Sequence, residues 1–203
     1  MDVRPPKAGN EPAPHLDEPR SSGALVYDGR LLKIYRDEAI APDGVQCVRE
    51  FTLHPGAAAI VPLFEDGSLL LERQWRYPLN RSFLEFPAGK LDPGETPLQT
   101  AQRELREETG YRANRWAELG PMHPVISYST EVIHIFLATD LSLGETARDE
   151  GEVIDLVRMS VADFFVLVES GQVSDAKTLA AAFWLARIRS GDYRPQWTLS
   201  ESV

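Results

Sequence analysis

Three glutamates, Glu104, Glu107 and Glu108, stand at i, i+3 and i+4 in the segment Arg103-Glu104-Leu105-Arg106-Glu107-Glu108-Thr109-Gly110. On a helix that spacing turns all three carboxylates to one face. Leu98, Ala101 and Leu105 recur beside them with helical period, an apolar stripe that fixes which side is buried. Like charges so placed destabilise a free helix by about a few tenths of a kcal/mol per pair. A hard divalent cation reverses that penalty, and oxygen-only ligation suits Mg²⁺ or Mn²⁺. No Cys or His lies nearby, which argues against zinc. An isolated E-x-x-E-E is more often a solvated helix face, so its surroundings decide.

The elements that would carry this face can be read along the chain. Five prolines and few large apolar side chains mark residues 1–22 as a mobile tail. Short apolar or β-branched runs follow at residues 25–40, 45–54, 57–64, 68–75 and 82–86. Asp28-Gly29, Pro42-Asp43-Gly44 and Asp66-Gly67 separate them, with glycine expected to supply positive φ in tight turns. After the loop Gly89–Pro97 the spacing predicts a helix over Pro97–Thr109, capped by Thr96 and stopped by Gly110. Strands are predicted at Trp116–Leu119, Val132–Ala138 and Val153–Met159, and helices at Val161–Ser170 and Asp175–Arg189. Strands, one helix, strands and then helices imply an α/β sandwich around a mixed sheet. The expected division is a tail at 1–22, N-terminal strands at 23–56 and a core at 57–191.

The 203 residues suffice for one domain that needs no metal or disulfide to fold. With 21 Lys+Arg against 31 Asp+Glu the formal charge is −10, which argues against nucleic acid or an anionic membrane as the main partner. A small phosphorylated ligand stays compatible, because a metal can mediate the contact. Cys47 is the only cysteine, so a reducing, cytoplasmic setting is expected. There is no signal-peptide pattern and no apolar run of membrane-spanning length. His15, His54, His123 and His134 share no ligand spacing.

The wider string around the glutamates is Gly89-x5-Glu95-x7-Arg103-Glu104-Leu105-x-Glu107-Glu108-x-Gly110-Tyr111. It matches the Nudix box, residues 89–111, and the chain resembles a Nudix hydrolase. The resemblance implies an α/β/α sandwich with the box as loop–helix–loop, and metal-dependent hydrolysis of a nucleoside diphosphate linked to another moiety. It makes Glu104, Glu107 and Glu108 metal ligands, with Glu95 and Arg103 holding the helix and its preceding loop in register.

Upstream, Gln74-Trp75-Arg76 and Glu85-Phe86-Pro87-Ala88-Gly89 resemble the Q-x-R…E-x-P-A-G pattern of ADP-ribose pyrophosphatases. That similarity adds the Ala88 carbonyl as a metal ligand and Arg76 as a diphosphate contact, with Glu85 beside it. A planar guanidinium binds two phosphate oxygens at once, but a Glu85-paired arginine is the alternative. Arg49 and Glu50 resemble the pair that supplies substrate contacts from the N-terminal strands, the alternative being an ordinary cross-strand ion pair. Tyr27 and Tyr35 are candidates to stack on adenine, or else packed strand residues.

The water that attacks a diphosphate must be deprotonated and aimed in line. The branch places a glutamate for this in a loop, which maps to Glu152 in Asp149-Glu150-Gly151-Glu152, with Glu150 as neighbour and Glu107 as fallback. One departure is Ile126, where the branch carries proline; the Tyr128-Ser129-x-Glu131 part survives and keeps Glu131 among the substrate-binding candidates.

The expected activity is therefore hydrolysis of ADP-ribose or a related nucleoside diphosphate sugar, with Mg²⁺ as cofactor and Mn²⁺ able to substitute. The resemblance further implies a homodimer that exchanges N-terminal strands. GDP-mannose or a dinucleotide are rival substrates. A non-catalytic ADP-ribose-binding module is the rival class, weakened because every box glutamate is present.

Overall fold

A computed structural model describes residues 13–144 and 153–199. Eleven strands and three α-helices run in the order β1 (Arg20–Asp28), β2 (Lys33–Ile40), β3 (Gln46–Leu53), β4 (Ala57–Pro62), β5 (Ser68–Arg76), β6 (Arg81–Glu85), β7 (Ala88–Lys90), α1 (Pro97–Thr109), β8 (Tyr111–Met122), β9 (Ile133–Leu143), β10 (Ile154–Ser160), α2 (Val161–Glu169), α3 (Ala176–Ser190) and β11 (Thr198–Leu199), among the described residues. The chain divides into one unit of Met1–His54 with Ser127–Ser129 and another of Pro55–Ile126 with Thr130–Val203.

The first unit is an antiparallel sheet in the order β1-β2-β3. Every residue of β1 is exposed. The strand starts at Arg20, inside the stretch expected to be tail, and a 3₁₀ turn occupies Pro14–Leu16. Proline fixes φ without needing a core, which composition alone undervalues. Gly29 is a second correction, because it lies outside positive φ. The β1–β2 connection is a four-residue loop closed by Gly29 N–H donating to Leu32 O at 2.9 Å, so no two-residue turn demands a left-handed glycine.

The second unit holds a five-stranded sheet in the order β11-β8-β9-β4-β7 and a three-stranded sheet in the order β10-β5-β6. Among the described strands only β4 with β9 is a parallel pair, so the larger sheet is mixed, as expected. Strand β4 is buried at all six positions, which explains its unbroken Ala-Ala-Ala-Ile-Val run. Alternation splits it between two cores: Ala58 and Ile60 pack with Ala101 and Leu105 of α1, while Val61 packs with Phe164 of α2 and Leu185 of α3. Helices therefore cover both faces, giving the α/β/α sandwich. No helix among the described residues is long and apolar enough to cross a membrane.

Helix α1 spans the predicted residues. Thr96 forms a capping box with Gln99, Pro97 opens the first turn, and Gly110 closes the helix at φ 78°. Strand β8 is twelve residues long, well beyond the predicted Trp116–Leu119. Its polar residues Arg112, Asn114 and Arg115 are exposed and interrupt the buried Ala113 and Trp116, which hides the strand from an apolar count. Strand β7 was not foreseen, since Ala-Gly-Lys has low strand propensity; it forms by pairing Ala88 with Ala59 and Gly89 with Ala58 of β4.

Candidate active site

Buried Ala101 and Leu105 anchor α1 in the sandwich, which turns Arg103, Glu104, Glu107 and Glu108 toward the box loop and β7. Arg103 organises them. Its Nε and Nη2 donate to the two oxygens of Glu95, each at 2.9 Å. Its Nη1 donates to Glu104 at 2.7 Å and to Glu107 at 3.2 Å, and Nη2 also reaches the carbonyl of Lys90 at 3.0 Å. Hydrogen bonds to charged groups contribute about 1.5–3 kcal/mol each, well above the few tenths lost per like-charged helix pair. The guanidinium thus offsets the glutamate repulsion and ties helix to loop, the register role expected for Glu95 and Arg103.

Glu95 is held down to a pKa of about 2, chiefly by the Arg103 hydrogen bonds, helped by the Thr100 hydroxyl at 2.8 Å and the Asp92 N–H. The same partnership raises the pKa of Arg103.

Glu108 is only 3% exposed and accepts a hydrogen bond from the N–H of Ala88 at 3.1 Å. Its carboxylate therefore lies against the Pro87–Ala88 peptide, one unit before the Ala88 carbonyl that the resemblance makes a metal ligand. Glu104 lies against Gly89, where a Cβ would stand 1.7 Å from a carboxylate oxygen. The expected metal residues Ala88, Glu104 and Glu108 are thereby drawn together, with Glu107 bound to Arg103 and to Arg106 at 2.8 Å. In this ion-paired arrangement no group of three or more His, Cys, Asp or Glu among the described residues converges as a metal cluster. The donor chemistry nevertheless fits a hard divalent cation: oxygen alone, three carboxylates on adjacent helical turns, and a backbone at Gly89 that the Glu104 carboxylate can approach closely because no Cβ stands there.

A second charged group lies on β5 and β6. Glu72 and Arg76 share one strand face, and Glu72 sits directly opposite Glu85. Arg76 clasps Glu85 through Nε at 2.7 Å and Nη2 at 2.6 Å, so the Glu85-paired arginine is what the fold displays. The pair leaves Arg76 40% exposed and Glu85 3% exposed at their side chains. Burial opposes the Glu85 charge, yet Arg76 and Lys177 together outweigh it and hold the carboxyl below its ordinary range. Lys177 was not singled out by sequence. Its one signal was a cation in the first turn of a helix, where the dipole disfavours positive charge.

In the first unit Arg49 pairs with Glu18, at 2.6 and 2.8 Å, and not with a residue across the sheet. That contact raises the Arg49 pKa and lowers that of Glu18. Glu50 is exposed opposite Arg36. Tyr27 is 56% exposed, whereas Tyr35 stacks on Phe51 with centroids 5.7 Å apart and so reads as packing. Ile126 is 85% exposed, and Glu131 belongs to the second unit. Glu150 and Glu152 lie outside the described residues.

The NUDIX domain pattern matches residues 53–182. The chain is 37% identical to the ADP-ribose pyrophosphatase of Bacillus subtilis (strain 168) over 172 residues, covering 84% of this chain and 93% of the relative. It is 35% identical over 162 residues to the methanol dehydrogenase activator of Bacillus methanolicus, covering 79% and 88%. Among solved structures, an ADP compounds hydrolase superposes with a TM-score of 0.78 at 29% identity, covering 86% of this chain and 95% of that one.

Proposed function

The chain belongs to the NUDIX domain family, and on that premise we propose that it hydrolyses the diphosphate bond of ADP-ribose or a related nucleoside diphosphate sugar. Products are a nucleoside monophosphate and a sugar phosphate. The observation that carries this reading is the joint held by Arg103: loop, helix and β7 meet with Glu104 on Gly89 and Glu108 on Ala88. Similarity to an ADP-ribose pyrophosphatase and an ADP compounds hydrolase supports the substrate class.

Mg²⁺, with Mn²⁺ as substitute, would be held by the Ala88 carbonyl, Glu104, Glu107 and Glu108. A divalent cation so bound neutralises phosphate charge and acidifies water. Arg76 orients the diphosphate through its guanidinium, with Glu85 bracing it; Glu131, Arg49, Glu50 and Tyr27 contribute further substrate contacts. Glu152 takes the proton from the attacking water, with Glu150 as the neighbouring alternative and Glu107 as the fallback within the box. The enzyme works in the cytoplasm, and as a homodimer; the exposed length of β1 supports the dimer.

The test is a screen with and without Mg²⁺ over ADP-ribose, GDP-mannose, other nucleotide sugars, dinucleotide polyphosphates and NADH, with products identified. AMP and ribose 5-phosphate from ADP-ribose, abolished by chelator, is the expected result. Full turnover in excess EDTA would overturn it, and binding of ADP-ribose without turnover would point to the non-catalytic module.

A further inference from the structure

We propose that Lys177 is a positioning residue for substrate binding: it fixes the Glu85 carboxylate that in turn aims Arg76 at the substrate diphosphate. This rests on the reading of Arg76 given above. The Lys177 ammonium bonds Glu85 Oε2 and, at 3.0 Å, Asp175 Oδ2. Its side chain is 9% exposed, so it acts through Glu85 and does not meet the substrate itself. The Arg76 guanidinium, on a side chain 40% exposed, grips both oxygens of the same carboxylate and shares Oε2 with Lys177.

The support for Lys177 continues into the backbone. Asp175 caps α3 by accepting from Thr178 N–H at 3.0 Å and from the Thr178 hydroxyl at 2.7 Å. That hydroxyl oxygen accepts the N–H of Phe86 at 3.1 Å. The first turn of α3 thus fastens two consecutive residues, Glu85 and Phe86, just ahead of Pro87-Ala88-Gly89. One helix end holds both the partner of Arg76 and the strand that leads to Ala88.

Stability is a poor reason for this lysine. A cation in the first turn opposes the helix dipole, and a buried ion pair gives up hydration that its attraction seldom more than repays. What the ammonium does supply is a second anchor for a carboxylate that faces buried Glu72 across the sheet. Without it, Glu85 is free to swing with Arg76, and a small misplacement of a binding group costs rate or affinity steeply.

The experiment is steady-state kinetics on ADP-ribose at saturating Mg²⁺ for Arg76→Lys, Lys177→Met, Lys177→Arg and the Arg76→Lys/Lys177→Met double variant. The proposal expects Lys177→Met to raise KM about tenfold with kcat within about threefold, and Lys177→Arg to recover most of that loss. The double variant should bind no worse than Arg76→Lys alone. A merely structural lysine would instead lower the active fraction, reducing kcat at unchanged KM, and that result overturns the proposal. If Arg76→Lys itself leaves KM unmoved, the reading of Arg76 fails beneath it. Should Lys177→Met not fold, Asp175→Asn decides, since it keeps the cap while loosening Lys177: a raised KM supports the proposal and an unchanged one sinks it.

Discussion

The carboxylate of Glu104 rests against the α-carbon of Gly89, so close that a methyl group there would fall 1.7 Å from Oε1 and 1.9 Å from Cδ. Gly89 does not have positive φ, so its lack of a side chain serves proximity and not backbone freedom. Gly89→Ala should therefore displace Glu104, the movable partner, at little cost to the fold. We expect kcat to fall by about tenfold or more while the Tm shifts by only a few degrees. Wild-type kcat in a folded Gly89→Ala protein would show that Glu104 need not lie there.

Acid should loosen the box joint through Glu95. Its folded pKa is depressed to about 2, so the stability it contributes is present above its unfolded value, near 4.5, and is lost as pH falls toward 2. Glu95→Gln should melt below wild type at pH 7, and the gap should close as both are titrated from about pH 4.5 to 2. A constant Tm difference across that range would mean that the charge of Glu95 is not what binds the loop to α1.

Glu108 separates chemistry from scaffolding within one side chain. Glutamine at this position keeps the volume and an oxygen that can still accept the Ala88 N–H, but removes the charge a cation needs. Glu108→Gln should cost several orders of magnitude in kcat with a nearly unchanged Tm. An equal collapse of stability would make this buried carboxylate a structural brace.

Exposure of β1 along all nine residues, Leu25, Val26 and Tyr27 included, bears on assembly. Light scattering should give twice the chain mass of 22.7 kDa, and Val26→Asp should shift it toward the monomer. A monomeric wild-type protein at all concentrations tried would end the homodimer proposal.

Local chemistry was legible where it is written in adjacent residues. The N-cap at Thr96, the stop at Gly110 and the three-glutamate face each depend on neighbours a turn apart, and α1 has its predicted bounds, with the return bond from Gln99 added by the fold. What escaped depends on partners far along the chain. Lys177 meets Glu85 across 92 residues, and Arg49 meets Glu18 across 31, so neither pair has a spacing to recognise. Strand β7 exists only because β4 offers it an edge. The sequence motif named Arg103 as structural, but that one guanidinium serves Glu95, Glu104, Glu107 and the Lys90 carbonyl is a property of the folded loop alone.

The last prediction divides the roles proposed for the acidic side chains. A general base contributes about 10²–10⁴ in rate and leaves metal affinity nearly intact. Removing a ligand weakens the cation's hold and shifts its concentration dependence. Glu152→Gln should therefore lower kcat at saturating Mg²⁺ while barely moving the half-saturating Mg²⁺ concentration, whereas Glu104→Gln should move it upward. Glu150→Gln is the internal control, two residues away with the same charge. Sensitivity at Glu150 in place of Glu152 would shift the base by two positions and keep the mechanism. If neither change costs even tenfold, the proton goes elsewhere, and Glu107, bound by both Arg103 and Arg106, becomes the group to replace next.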